Sequence, residues 1–124
     1  MDTRAKIIDL ASAARLRRPG LRLKLVAGYF DVLTPDLVRR LHGLSDGGRL
    51  IAVVVDPPNP LLPSRARAEL AAALSVIDYV LLLPDAGLDK ALDQIRPDEV
   101  VREDMADGKR LQALIEHVHQ RQRG

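Results

Sequence analysis

Cysteine and tryptophan are absent from the 124 residues, and Tyr29, Phe30 and Tyr79 are the only aromatic side chains. Without cysteine there is no disulfide, no thiolate nucleophile and no cysteine-ligated zinc or iron–sulfur site, which fits a reducing compartment. Three aromatics are too few for a stacking platform, so nucleic acid is a disfavoured partner. Long apolar runs are also missing. Nothing approaches the roughly 18 residues a membrane span needs, and charges are scattered through residues 1–20 where a secretory leader would be apolar. The expected setting is the cytoplasm, with no membrane partner. What is present, 47% hydrophobic and 29% charged residues, is the composition of a folded protein. The length predicts a single domain over 1–124.

A formal net charge of +2 conceals an uneven distribution. Residues 1–24 hold seven basic side chains, among them Arg15, Arg17, Arg18, Arg22 and Lys24, against two acidic ones. Residues 85–107 hold eight acidic side chains against three basic. Two solvated faces explain this most simply; docking to protein or nucleic acid through the basic segment is an alternative.

Apolar periodicity alternates between helix and strand. Ile7, Leu10, Ala11 and Ala14 predict a helix over residues 5–17, ended by Pro19 and Gly20. Leu23 to Ala27 read as a strand running into Gly28. Thr34 as cap, Pro35 at the first position and Asp36 in the first turn predict a helix over 35–42 that stops near Gly43. The β-branched run Leu50 to Val55 reads as a strand buried on both faces. Ser64 is placed to cap a helix whose stripe is Ala66, Leu70, Ala73 and Leu74, and Ile77 to Leu83 form a further strand stopped by Pro84. A helical stripe of Leu88, Ala91, Leu92 and Ile95, a short strand at Glu99 to Val101, and a last helix with Leu111, Leu114, Ile115 and Val118 complete the order. This rhythm with short connections predicts an α/β fold, a three-layer α/β/α Rossmann-like sandwich on a four-stranded parallel sheet.

Parallel sheets bind ligands beyond the carboxyl ends of their strands, which directs attention to the segment after Ala27. Gly28-Tyr29-Phe30-Asp31-Val32-Leu33-Thr34-Pro35-Asp36-Leu37 resembles the signature of the cytidylyltransferase-like nucleotidyltransferases: glycine, any residue, phenylalanine, aspartate, two more, then histidine, any, glycine, histidine. Gly28, Phe30 and Asp31 match, whereas Thr34, Asp36 and Leu37 stand in place of the histidine, glycine and second histidine. Asn59-Pro60, Arg65, Ala72-Ala73-Leu74, Asp78-Tyr79-Val80 and Arg96-Pro97-Asp98 are similar to segments of the heptose-phosphate adenylyltransferase and glycerol-phosphate cytidylyltransferase branch. The resemblance covers about residues 6–104. It implies a strand order of third, second, first, fourth, a homodimer, and a nucleotide, CTP or ATP, as the partner at Gly28, Tyr29, Phe30, Asp31 and Thr34. No other cofactor is named by it.

The departures from that pattern fall on the charge-stabilising groups. In the family the paired histidines contact the phosphates as pyrophosphate leaves, which requires a donor or cation aimed at the oxygen. Thr34 offers one weak donor, Leu37 none, and Asp36 adds a carboxylate to a helix start that otherwise attracts phosphate. The loop Asp56 to Pro63 is proline-stiffened and has no lysine or arginine, where the family has a lysine. Arg102-Glu103-Asp104 stands where the family leads to a fifth strand and a hydroxyl-rich helix start. The resemblance therefore implies a catalytically degenerate module, with no catalytic residue, that binds a nucleotide-like ligand or serves assembly. The alternative is an active nucleotidyltransferase on a phosphorylated sugar or alcohol.

On a purely structural reading, Gly28 to Asp31 is a strand-to-helix turn in which Phe30 packs and Asp31 holds backbone N–H groups. His42 near a helix end is favoured by the dipole and is a poor catalytic base candidate. His117 and His119, two apart on a helix, cannot form a metal pair, and the acidic turn Glu103, Asp104 and Asp107 reads as a helix start, so no metal is expected.

Overall fold

All four apolar runs become strands: β1 (Leu23–Gly28), β2 (Arg49–Val54), β3 (Tyr79–Leu82) and β4 (Glu99–Arg102). The computed structural model describes residues 2–57, 59–83 and 87–104. The helix expected at Leu111 to Val118, His117, His119, Asp85, Asp107, Pro58 and Pro84 lie outside the described residues. Every strand pairing is parallel and the order is β3-β2-β1-β4, the order the resemblance implies. Leu25 on the central strand faces Ile51 on one side and Val100 on the other.

Period-two alternation then sorts the strand side chains into two apolar layers. Leu23, Leu25, Ala27, Ile51, Val53, Leu81 and Val100 pack on one face, covered by helices α1 (Leu10–Ala14) and α4 (Gly87–Ile95). Val26, Leu50, Ala52, Val54, Val80 and Val101 pack on the other, covered by α2 (Pro35–Leu44) and α3 (Ser64–Ala72). Both faces of the sheet are buried, so the strands read as apolar runs, and each fully buried Leu, Ile or Val contributes about 1.5–3 kcal/mol. The stripe of α4 is the expected one, with Leu88, Ala91, Leu92 and Ile95 all buried.

Three helix expectations change. The helix predicted over 5–17 is divided: Thr3–Lys6 form a short 3-10 turn, Ile7 bridges to Val80 in parallel, and only Leu10–Ala14 are α-helical. Two local interactions compete with a continuous helix. The Asp9 carboxylate takes the Ser12 N–H at 2.7 Å as an N-cap, and the Ile8 N–H donates to the Val80 carbonyl at 2.9 Å. Helix α2 continues through Gly43 to Leu44, because Leu44 is buried under the sheet and holds the last turn in place. In α3 Ser64 is the first helical residue and Pro63 the cap position, without a side-chain cap bond. Its buried face is Arg67, Ala68, Ala71 and Ala72, and Ala73 of the expected stripe is exposed.

At the amino edge, two aspartates lengthen the sheet by one rung each. Asp78, just before β3, donates its N–H to the Leu50 carbonyl (2.9 Å) and accepts the Leu50 N–H on its carboxylate (2.8 Å). Asp98, just before β4, does the same with Leu23, at 2.7 and 2.8 Å. Arg17 closes a two-pronged ion pair on Asp98 at 2.7 and 3.0 Å, and Arg49 lies 3.4 Å from Asp78.

Candidate functional site

The carboxyl edge begins where β1 ends at Gly28. A β-carbon there would lie 3.1 Å from the Phe30 ring and 3.5 Å from Cβ of Glu103, so a side chain would disturb the turn. Phe30 itself has φ 52°, in the left-handed region, which costs a non-glycine residue about 1–2 kcal/mol. Burial of its ring, 3% exposed among the residues beneath α2 and α3, offsets that cost. Asp31 accepts the N–H groups of Leu61 (2.6 Å) and Leu62 (2.8 Å) on its two carboxylate oxygens, so it ties the proline-rich loop to the β1 turn. The structural reading of this turn thus describes it well.

Arg67 supplies the second tie. Its side chain is 1% exposed, and the guanidinium donates to the carbonyls of Tyr29 (3.2 Å), Val55 (2.9 Å) and Leu62 (3.1 Å) and to the Asp56 carboxylate. A buried cation is tolerated because nearly all its donors find oxygen. The five-donor fork joins three stretches of backbone that would otherwise move independently. Arg65, the arginine singled out by the resemblance, is instead 60% exposed and 3.7 Å from Glu69. A charged residue within an alanine-rich helix face was the signal for Arg67.

A cleft of about 300 Å³ opens above these ties and is lined by all five expected residues, Gly28, Tyr29, Phe30, Asp31 and Thr34. The Thr34 hydroxyl oxygen accepts the Leu37 N–H at 3.1 Å, which caps α2. Leu37 lines the cleft, whereas Asp36 does not: its carboxylate is exposed and pairs with Arg39. The expected repulsion of phosphate by Asp36 is weakened accordingly. Sequence reasoning missed Arg40, which also lines the cleft; its spacing from Thr34 and Leu37 (i, i+3, i+6) places it on the same helix face. Arg40 pairs with Glu103, also a lining residue, at 2.8 and 2.9 Å. That bond, more than the attraction at a distance, raises the guanidinium pKa above its ordinary value. Val32 (60% exposed) and Leu61 (75%), the large apolar side chains that face solvent among the described residues, both belong to this edge.

The remaining candidates lie elsewhere. His42 is exposed in the last turn of α2. Asp104 pairs with Arg102 at 2.8 and 2.6 Å, so within the acidic turn both described carboxylates are in ion pairs. Among the described residues no group of three or more His, Asp or Glu could hold a metal ion, and no helix is long and apolar enough to cross a membrane. Of the basic first segment, Arg17, Arg18 and Arg22 line a depression at the amino edge, away from the cleft.

No protein-family model matches the chain. It is 31% identical over 84 residues to FAD synthase of Methanohalophilus mahii, spanning 62% of this chain and 59% of that protein. Over 93 residues it is 33% identical to FAD synthase of Methanosarcina acetivorans, spanning 68% and 62%. Over 96 residues it is 30% identical to the bifunctional protein HldE of Syntrophotalea carbinolica, spanning 69% of this chain and 20% of that protein. These likenesses support a cytidylyltransferase-like nucleotidyltransferase superfamily. The fold is shared with a solved structure. The crystal structure of the lipopolysaccharide core biosynthesis protein from Thermoplasma volcanium superposes with a TM-score of 0.65 at 20% identity, over 80% of this chain and 89% of that one. The chain spans about three fifths of the FAD synthases and a fifth of HldE.

Proposed function

We propose that this cytidylyltransferase-like domain binds a nucleotide-like ligand, CTP, ATP or a compound built like them, in the cleft at Gly28 to Thr34, and does not itself transfer the nucleotidyl group. The supporting observation is that one cleft collects all five residues while Asp31, Thr34 and Arg40 already have partners. Asp31 holds two backbone N–H groups, Thr34 caps α2, and Arg40 is in a fork with Glu103. Such walls are suited to shape recognition. Transfer needs donors aimed at the departing pyrophosphate, and loss of one commonly costs about 100- to 1,000-fold. Contributions within one site are not additive, and the expected deficit is at least about 10,000-fold. The reading also takes the domain to be a cytoplasmic homodimer, which sedimentation velocity tests.

The decisive assay is pyrophosphate release from CTP or ATP with magnesium and a panel of phosphorylated sugars and alcohols, run beside thermal shifts with the same nucleotides. The expected result is a stabilising shift without release. Turnover near one per second would overturn the reading. That outcome would favour the second reading, an active nucleotidyltransferase, which the names of the relatives and the presence of Arg40 in the cleft support.

A further inference from the structure

The Arg40–Glu103 fork joins an exposed cation to a buried anion. The Glu103 side chain is 7% exposed, and its own N–H is anchored on the Ala27 carbonyl at 2.7 Å. Its Cβ lies against the end of β1 at Gly28. Arg40, by contrast, is 52% exposed on the surface of α2. Among the described residues it is the one cationic side chain lining the cleft, against the carboxylates of Asp31 and Glu103. A buried carboxylate needs a partner, and Glu103 holds the Nε and Nη2 side of the guanidinium, the side that would otherwise grip a phosphate with two parallel bonds.

We propose that Glu103 is an internal competitor of phosphate for Arg40, so that the cleft favours the uncharged nucleoside portion of a ligand and admits a phosphate group at Arg40 only by displacing the Glu103 carboxylate. This rests on the cleft being the ligand site. It adds the specificity determinant: the charge of one residue after β4 sets how strongly phosphate is discriminated against. A ligand carrying a phosphate there would also release Glu103 from α2, which links occupancy to the contact between that helix and the end of the sheet.

The test follows the Arg40 Nε–H resonance by NMR during titration with inorganic pyrophosphate, and backbone amides of Gly28 and Phe30 during titration with adenosine or cytidine. Glu103→Gln is expected to bind pyrophosphate at least about tenfold more tightly than the unmodified protein. That difference corresponds to about 1.4 kcal/mol. The gain should vanish in Glu103→Gln/Arg40→Gln. Glu103→Met, which keeps the volume and removes the hydrogen bonds, serves if the Gln variant does not fold. Equal pyrophosphate affinity in variant and parent, or a gain that survives loss of Arg40, overturns the proposal. Silence of Gly28 and Phe30 toward nucleosides in every variant overturns the nucleotide site instead, while the competition read by pyrophosphate stands.

Discussion

The two edges of the sheet use charge in opposite ways. At the amino edge Asp78 and Asp98 each complete a strand ladder, and their arginines, Arg49 and Arg17, stay partly in water. At the carboxyl edge one arginine, Arg67, is buried and the loops are arranged around it. The first edge ends a sheet; the second holds a cavity open with backbone carbonyls, one strained phenylalanine and paired carboxylates. Each edge also holds one non-glycine residue in the left-handed region, Phe30 (φ 52°) at the carboxyl edge and Arg96 (φ 54°) at the amino edge, so the buried arginine and not the backbone strain sets the two apart.

The contrast breaks most severely at Arg67. Arg67→Met removes the donors from three carbonyls and Asp56, and unfolding in urea should show a loss of about 3 kcal/mol or more. Arg67→Lys should recover only part of it, since a point charge cannot span the loops. Equal stability of Arg67→Met and parent would show that the loops hold themselves.

Asp98→Ala comes next, at about 2 kcal/mol, because the Leu23 N–H and Arg17 both lose their acceptor. The Arg17 bond, and less strongly the Leu23 N–H, holds the Asp98 carboxyl below its usual value against the opposing effect of burial. A lowered folded-state pKa gives stability that is present above the unfolded value, near 4, and is lost as pH falls through the folded value. Acid unfolding followed by circular dichroism should therefore flatten below about pH 4 in Asp98→Ala.

Gly28→Ala tests the close approach of Phe30 at about 1 kcal/mol, and the cost should shrink in a Phe30→Leu background, a coupling of about 0.5 kcal/mol or more in a double-mutant cycle. The smallest effect belongs to Asp36→Gly. With its carboxylate turned to solvent and paired with Arg39, pyrophosphate affinity by calorimetry should change by less than about twofold.

The sheet was legible because both its faces are buried, which makes each strand an apolar run with period two, and α4 because its stripe is continuous. The first helix was not, since the cap at Asp9 and the bridge at Ile7 depend on the edge of β3, which no local pattern displays. In α3 the buried face was misplaced for a related reason: Arg67 is inside only because Tyr29, Val55 and Leu62 supply oxygens from distant segments. The five cleft residues were legible as a contiguous motif, whereas Arg40 and Glu103 meet across 63 positions of sequence and only the fold brings them together.

The bridge from Ile7 to Val80 also acts as a guard rail. With order β3-β2-β1-β4, β3 is an outer strand, and its free hydrogen-bonding groups would offer a template to any other extended chain. Ile7 and Ile8 lie along that border, the Ile8 N–H occupies the Val80 carbonyl, and Lys6 reaches the Leu74 carbonyl at 3.1 Å. Those few residues thus act less as the start of a helix than as a cover against intermolecular strand addition, and a version of the protein shortened past Ile8 would trade a tidy border for a sticky one.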